Sequence, residues 1–430
     1  MSVMPIDDQK NKDVPDRDIG KHIEDGSFCD PPLPQAMSKQ TSHRFPALDV
    51  FRGITLCGMC VGINPIFFEG LLAHAEWSGF TPSDLGLPSF VFIMGCSVSF
   101  AERRLGTLPI YKAVYTILKR TTLLFLCGFI YEWFPFADID VNSELISPFP
   151  IGITRIMGVL QRIGLCYCIT ALLAILIRRF QYIVIIAAAL PLVYWPVLYF
   201  FSTAPPGNDP YAIDKNAVLR FDLWVLGQNH ILDNRFDNEG LLSTLPALST
   251  SLFGYLTGKF IQTYQKRYKL IKMSGFGAVS VVIGLLWSVV LPINKKLWTG
   301  SFVALCLGLD VIILVLLMLG DRLSEMIPSA TKKRLKFASN GANIFLMVLG
   351  RNSLLIFLVC ETIYKWARLI PAVERPEGGA ISLFEWITQP FLEGPLGNIQ
   401  TAAAISAISV LIMAWTTAYT LNRKGIYVRL

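Results

Sequence analysis

DLGLPSFVFIMGCSVSFAERR, residues 84–104, carries no charge between Asp84 and Glu102, and two arginines close it. A lipid interior offers backbone groups no hydrogen-bond partner, so a chain crosses it as a helix. The hydrocarbon is about 30 Å thick, which takes roughly 20 mostly apolar residues. Similar stretches recur along the chain, giving about ten spans at 46–66, 84–103, 113–132, 155–177, 181–201, 242–261, 274–292, 299–319, 343–364 and 399–421. The whole composition agrees. Of 430 residues, 53% are hydrophobic and 16% charged, and the mean hydropathy is +0.51, far from that of a soluble globular domain. No long stretch alternates with period two, which disfavours a β-barrel. The expected fold is all-α: a polytopic integral membrane protein of about ten transmembrane helices.

The formal charge of +7 does not point to nucleic acid, because the basic residues mark topology. Arg103, Arg104, Lys112, Lys119 and Arg120 follow the second span, and Arg178 and Arg179 the fourth. Lys259, Lys266, Arg267, Lys269 and Lys272 follow the sixth, Lys332, Lys333, Arg334 and Lys336 the eighth, and Arg423, Lys424 and Arg429 close the chain. Residues 67–83 and 133–154 contain no Lys or Arg. The positive-inside rule then places both termini in the cytoplasm and His74 on the outer side.

Residues 1–44 are polar, of mixed charge, with neither a basic leader nor an apolar core of a signal peptide, and are expected to form a disordered cytoplasmic tail. Residues 45–430 form the multi-spanning domain. No Asn-x-Ser/Thr acceptor occurs, which favours a bacterial-type inner membrane. Two outer segments, 203–241 and 365–398, are long enough to cover a site, and their Trp, Phe and Leu favour packing. No internal repeat is evident, which disfavours an inverted-repeat transporter. The nine cysteines lie mostly within spans, as small apolar packing residues, and no histidine joins Cys57 and Cys60 or Cys166 and Cys168 to complete a metal site.

Ionisable groups at membrane depth are costly, so each needs a partner or a function. In ALDVFRG, Asp49 and Arg52 stand three apart: an ion pair anchoring the helix end, or part of an anion site. In GINPIF, Asn64 either satisfies backbone freed by Pro65 or lines a pocket with His74. TPSD, residues 81–84, is a helix start, with Thr81 as N-cap, Pro82 in the first turn and Asp84 three residues on; Asp84 is a helix-start residue, a site residue, or both. TRIMGVLQRIG puts Arg155 and Arg162 seven apart on one helical face, with Gln161 adjacent. They must meet carboxylates, carbonyls or an anionic ligand, and Asp237 and Glu239 in DNEG are the acidic candidates. Lys295, Lys296 and Trp298 lie in PINKKLW at the mouth of the seventh span, while Asp310 and Asn352 add polar groups inside the eighth and ninth. Of four histidines, only His74 and His230 lie in the membrane region, and a neutral imidazole accepts a proton near neutral pH.

Six separated motifs, ALDVFRG, HAEWSGFTPSDLGLPSFVFIMGCS, RIMGVLQRIGLCY, DNEGLLSTLPALST, NKKLWTGSFV and LGRNSLLIF, resemble in order and spacing the heparan-α-glucosaminide N-acetyltransferase family and its bacterial relatives. The resemblance runs from about residue 44 to the C-terminus. It implies a transmembrane acetyltransferase taking acetyl from cytoplasmic acetyl-CoA to the amine of a terminal glucosamine on the outer side, with no metal and with room for a homodimer. The family's active histidine falls on His74 and its pocket asparagine on Asn64, as general base or nucleophile and as the group that orients it. For that reaction, the charge and position of Asp49, Arg52, Arg103 and Arg104 place them on the donor side, where positive charge would attract the CoA phosphates. Asp84, Arg155, Gln161, Arg162, Asp237, Glu239, Lys295, Trp298 and Asn352 belong to the acceptor side. Three features depart from the family: the short polar tail, which lacks the leader and luminal domain of lysosomal members and so disfavours heparan sulfate itself as acceptor, Asn238 in place of a common proline, and Ile66 in place of a common glycine. Two other functions share these motifs' chemistry, an amino-sugar permease and an O-acetyltransferase of an envelope glycan.

Overall fold

A computed structural model describes residues 45–62, 73–140, 145–148, 151–177, 179–232, 236–263, 266–326, 344–374, 380–384, 386 and 399–427. Within them, each of the ten apolar stretches is helical. The first five helices are α1 (Pro46–Gly62), α2 (Gly86–Gly106), α3 (Ile110–Trp133), α4 (Val159–Leu176) and α5 (Phe180–Phe200). A short α6 (Ala217–Leu226) follows in the first long connecting segment, and then α7 (Thr244–Thr263), α8 (Lys266–Trp287) and α9 (Gly300–Met326). The chain closes with α10 (Ile344–Arg351), α11 (Ser353–Leu369) and α12 (Ile399–Arg423). Two short antiparallel hairpins, β1 (Ala137–Asp140) with β2 (Leu145–Pro148) and β3 (Pro371–Glu374) with β4 (Ala380–Ser382), are the strands among the described residues.

Six of these helices are long and apolar enough to cross a membrane, and α10 with α11 makes a seventh if the bent pair is one span. The chain is thus a helical membrane protein. Helix α1 is described over 17 residues, and the end of the first expected span, 63–66, lies outside the described residues. The ninth stretch is not straight: its two halves meet at 82° around Asn352. The eighth helix starts at Lys266, well before the expected 274, because apolar residues such as Leu270 and Met273 are buried against α9 and carry the basic first turn into the helix.

Helix α2 sits at the centre, packed on α1, α4, α7 and α9. Between helices in lipid there is little hydrophobic gain, so close packing of small residues must supply the attraction. Gly95 and Gly254 do this for α2 and α7: a Cβ at Gly95 would fall 2.0 Å from the Ser251 carbonyl oxygen, and one at Gly254 would fall 2.1 Å from that of Phe92. Phe92, Ile93, Leu252 and Phe302 fill the space around this contact and are fully enclosed.

At the end of the bundle where α2 begins, connecting segments fold into a cover. Asn216 caps α6, its Oδ1 accepting from the Leu219 amide at 2.8 Å. Trp77 donates from Nε1 to the Tyr211 carbonyl at 2.9 Å and stacks edge-on against Phe236, centroids 5.1 Å apart. The Gly79 amide donates to the Ile293 carbonyl at 2.8 Å, tying residues 73–80 to the segment between α8 and α9. That segment is itself pinned by the fully buried Asn294, whose Oδ1 accepts from the Leu297 amide at 2.8 Å. Two loops far apart in sequence are thereby held face to face.

Candidate active site

His74 lies in the first of those loops and Lys295 in the second, with Asp84 at the start of α2 between them. The Asp84 carboxylate divides its oxygens between two tasks. Oδ2 accepts from the Thr81 amide at 3.0 Å and the Thr81 hydroxyl at 3.1 Å, closing the helix start that TPSD predicts. Oδ1 lies 2.7 Å from His74 Nδ1. One residue thus closes the helix start and holds the His74 ring. A carboxylate only accepts, so Nδ1 carries the hydrogen and the ring's lone pair lies on Nε2. The Asp84 side chain is 1% exposed and that of His74 41%, so the acid is locked in while the imidazole faces outward.

Lys295 completes the cluster, with Nζ 3.5 Å from Asp84 Oδ1 and 3.2 Å from His74 Nδ1. Because Nδ1 has already given its proton toward Asp84, the ammonium's partner is the carboxylate. Burial pushes the Lys295 ammonium below the ordinary lysine range, against the pull of Asp84 and Glu239. The adjoining Lys296 donates to the Glu76 carbonyl at 2.7 Å and lies over the Trp77 ring, 5.8 Å from its centroid.

A second cluster forms around Arg155. Its Nη2 lies 2.5 Å from both Asp237 Oδ1 and Glu239 Oε2, its Nε 3.1 Å from Asp237 Oδ2, and its Nη1 3.3 Å from Glu132 Oε1. Burial opposes the charge on Arg155, but Glu239, Asp237 and Glu132 outweigh it and hold the guanidinium above its ordinary pKa. Burial likewise disfavours ionised Glu239, and Arg155 with Arg162 outweighs it and holds that carboxyl below the ordinary range. Arg162 is fully buried. It donates to the Gly240 carbonyl at 3.2 Å and to the Ser243 hydroxyl, and its guanidinium lies 4.9 Å from the Trp298 ring centre. The expected pairing of both arginines with DNEG therefore holds, but the expected helical face does not. Helix α4 begins at Val159, and Arg155 precedes it in a segment that leads to the extended Gly158 (φ −167°, ψ −174°). A Cβ on Gly158 would lie 2.7 Å from Glu132 Oε1, so glycine lets Glu132 reach Arg155.

The other sequence-expected residues fall elsewhere. Asn64 lies outside the described residues. His230 joins the cover through Nδ1, 2.8 Å from the Thr154 carbonyl, and stands apart from the His74 cluster. Asp49 and Arg52 form the i,i+3 pair at 2.7 Å, and Arg52 also donates to Ser97 of α2. Asn352 sits at the break between α10 and α11, donating to the Ile426 carbonyl at 3.0 Å, beside Arg351 and Asn422 at the end of the bundle away from His74. It does not join the His74 or Arg155 cluster, because α10 packs on the start of α1, where a Cβ at Gly350 would fall 1.9 Å from the Asp49 carbonyl oxygen, and this holds Asn352 at that end. Asp310 is enclosed in α9, where its Oδ1 accepts from Ser89 at 2.5 Å. Arg104 is exposed, and Arg103 lines a cavity of about 670 Å³ with Glu102, Tyr255 and Lys259 at the end away from His74. Gln161 is buried beside a second cavity, between α3, α4 and α11.

Sequence reasoning missed Glu132, Asp222 and Ser243. Glu132 had a signal, an acid in the last turn of an apolar span. Asp222 is buried in α6, where its Oδ1 accepts from the Leu241 and Leu242 amides at 3.0 and 3.1 Å, and it thereby fixes the segment that carries Asp237 and Glu239.

Residues 44–286 match the model of the catalytic region of heparan-α-glucosaminide N-acetyltransferase, more than half of the chain. The chain belongs to this family. Within the heparan-α-glucosaminide N-acetyltransferase family, it is 26% identical to the enzyme of that name from Mus musculus over 331 residues, covering 62% of this chain and 47% of the relative. It is 27% identical to that of Homo sapiens over 327 residues, covering 60% of this chain and 46% of the relative. The chain thus spans about half the length of the curated relatives it matches. His74, Asp84 and the Arg155 cluster fall inside the family match, and Lys295 and Trp298 lie beyond it.

Proposed function

We propose that this protein is a transmembrane acetyltransferase that moves an acetyl group from acetyl-CoA to the amine of a glucosamine-like acceptor, with His74 as the group that handles the proton. The observation that carries this reading is the short His74 Nδ1 to Asp84 contact, which fixes an outward-facing imidazole with its lone pair on Nε2. The family match supports the reaction class. Ten spans, cytoplasmic termini and a bacterial inner membrane complete the reading, with His74 on the outer side. Arg103 and Lys259 on the wall of the cavity at the opposite mouth, with the neighbouring exposed Arg104, supply positive charge for the donor's phosphates.

In the direct route the acceptor nitrogen attacks the thioester carbonyl, the C–N bond forms and the C–S bond breaks. The amine proton passes to His74 Nε2 and from there to the departing thiolate. In the two-step route Nε2 attacks the thioester carbonyl as the C–S bond breaks and the thiolate departs; the amine then attacks the acetyl carbon, the bond to Nε2 breaks, and the amine proton passes to the freed Nε2 and on to the thiolate. Asp84 serves both, by holding the tautomer and stabilising the charge that appears on the ring. Asn64 is assigned to the thioester carbonyl or to the imidazole.

The test is a donor and acceptor screen on purified protein with radiolabelled acetyl-CoA, offering amino sugars, glycans with free hydroxyls and no acceptor. Label in an N-acetyl sugar is the expected result. Label only in an O-acetyl ester, or uptake of glucosamine without acetyl-CoA dependence, replaces this function with one of the other two. Mass spectrometry of protein quenched before acceptor is added separates the routes, since only the two-step route leaves acetyl on His74.

A further inference from the structure

Helix α9 is the most apolar of the six helices long enough to cross a membrane, yet Asp310 stands at the middle of its Gly300–Gly320 stretch. The carboxyl group is fully enclosed. Its Oδ1 accepts from the Ser89 hydroxyl of α2, and its Oδ2 is buried with no hydrogen-bond partner in the protein. Acetyl transfer at His74 makes no use of this pair. An acidic group at membrane depth is costly and calls for a partner or a function. Helices α1, α2, α5, α7 and α8 pack on α9, and among the described residues they bring no cation within electrostatic reach of Asp310. The titratable groups that do come within reach are two thiols, Cys306 one turn earlier on α9 and Cys96 on α2.

The chemistry of the pair names its ligand. Two carboxylate oxygens and one hydroxyl fall well short of the about six oxygens that a hard metal cation gathers. A proton needs one, and Oδ2 is the oxygen open to it. The Ser89 hydroxyl suits both states of the acid, donating to a carboxylate and accepting from a protonated carboxyl. Neutralising the group also removes the charge that apolar surroundings resist.

The pair lies beneath the His74 cluster. Ser89 follows Asp84 by five residues, roughly 8 Å at about 1.5 Å per residue. Cys306 is within electrostatic reach of Asp84, Lys295 and Asp310 alike, which sets Asp310 below the cluster on α9 as well. On the other side, Cys96 is within reach of both Asp310 and Arg52, and the Arg52 side chain is partly exposed. Acetyl transfer to an acceptor ammonium leaves a proton over. The nitrogen gives up two protons as the C–N bond forms; one goes to the thiolate that the broken C–S bond releases, and the other must leave the site.

We propose that Asp310 with Ser89 is a proton-binding site in the membrane interior, which takes this second proton from the His74 cluster as it hands the one it holds to solvent on the Arg103 face. This rests on the acetyl-transfer function above. The experiment uses full-length protein in sealed proteoliposomes of known orientation, with acetyl-CoA on the Arg103 face, glucosamine on the His74 face and a pH-sensitive dye in each compartment. The expected result is one proton released on the Arg103 face for each N-acetyl product. Asp310→Asn keeps the shape of the neutral acid but exchanges no proton. It should move release to the His74 face and lower kcat about tenfold, less than the about 10²–10⁴ carried by a group on the reacting atoms. Ser89→Ala, which leaves the carboxyl in place, should shift release in the same direction by less, and thermal melting checks that both variants fold. Release on the His74 face in wild type, or an Asp310→Asn protein that still releases the proton on the Arg103 face, overturns the site while leaving acetyl transfer intact. Infrared spectra distinguish this from failure of the function. If wild type transfers no acetyl, a protonated-carboxyl band that is missing in Asp310→Asn and fades as pH rises supports the proton site and removes the transferase function. Neither transfer nor such a band overturns both.

Discussion

Two acid–base clusters occupy the same end of this membrane protein, and they are built for opposite purposes. Around Arg155 one cation faces three carboxylates, and its side chain is 14% exposed. Around His74 one carboxylate, almost wholly buried, steadies a ring whose side chain is 41% exposed. In the first arrangement one guanidinium ties all three carboxylates together, which suits a scaffold that must not move. The second leaves its base facing outward, which suits proton transfer. Burial and charge are common to both clusters; the division between a locked partner and an outward-facing one is what the proposed function rests on.

The comparison breaks first at His74. His74→Ala is expected to lower acetyl transfer by about 10³-fold, within the usual range for a general base, with little change in melting temperature. Arg155→Met is expected to act the other way round. It strands Asp237, Glu239 and Glu132 without their cation, at a cost to stability of about 3–5 kcal/mol, read from denaturant unfolding in detergent. If Arg155→Met folds normally and only transfer is lost, the division between the two clusters is wrong.

Asp84→Asn sharpens the contrast. The amide still accepts at the helix start but no longer stabilises charge on His74, so transfer should fall about 10²-fold; Lys295 loses its carboxylate as well, so stability falls too, by less than the about 3–5 kcal/mol expected for Arg155→Met. His230→Ala sets the lower bound. It removes one hydrogen bond to Thr154, for about 0.5–1.5 kcal/mol, and leaves transfer at the wild-type rate.

A smaller effect should appear in pH. Burial raises the Asp222 carboxyl to about 7, with the Leu241 and Leu242 amides opposing the shift and the Asp237 charge adding to it. Because the folded protein holds this proton at pH values where the unfolded chain, near 3.8, has released it, stability from this group falls as pH rises from about 4 to 7 and is level above that. Unfolding of Asp222→Asn followed across that window should lack this component of the slope. A slope identical to wild type would remove Asp222 from the support of the acidic segment.

Much of this was legible in the sequence. Length and apolarity set the helices, since lipid permits few alternatives, and TPSD announced the start of α2 through cap chemistry that is local to four residues. The pairing of Arg155 and Arg162 with DNEG followed from the cost of leaving two cations in hydrocarbon. What escaped was non-local. Lys295 reaches Asp84 only because Gly79 and Asn294 hold two distant loops together, and neither residue signals its partner. The bend at Asn352 sits in a continuous apolar run, so periodicity could not show it. The apolar neighbours upstream of Val159 point to a helix that includes Arg155, whereas the extended Gly158 delays the helix start.

The most direct test of the central claim places acetyl-CoA and acceptor on opposite sides of a sealed membrane. In proteoliposomes of known orientation, with labelled acetyl-CoA on the face of Arg103 and glucosamine on the face of His74, labelled N-acetylglucosamine should accumulate only in the acceptor compartment, and His74→Ala vesicles should show none. Equal product from His74→Ala vesicles, or glucosamine crossing the membrane unacetylated, would contradict the account.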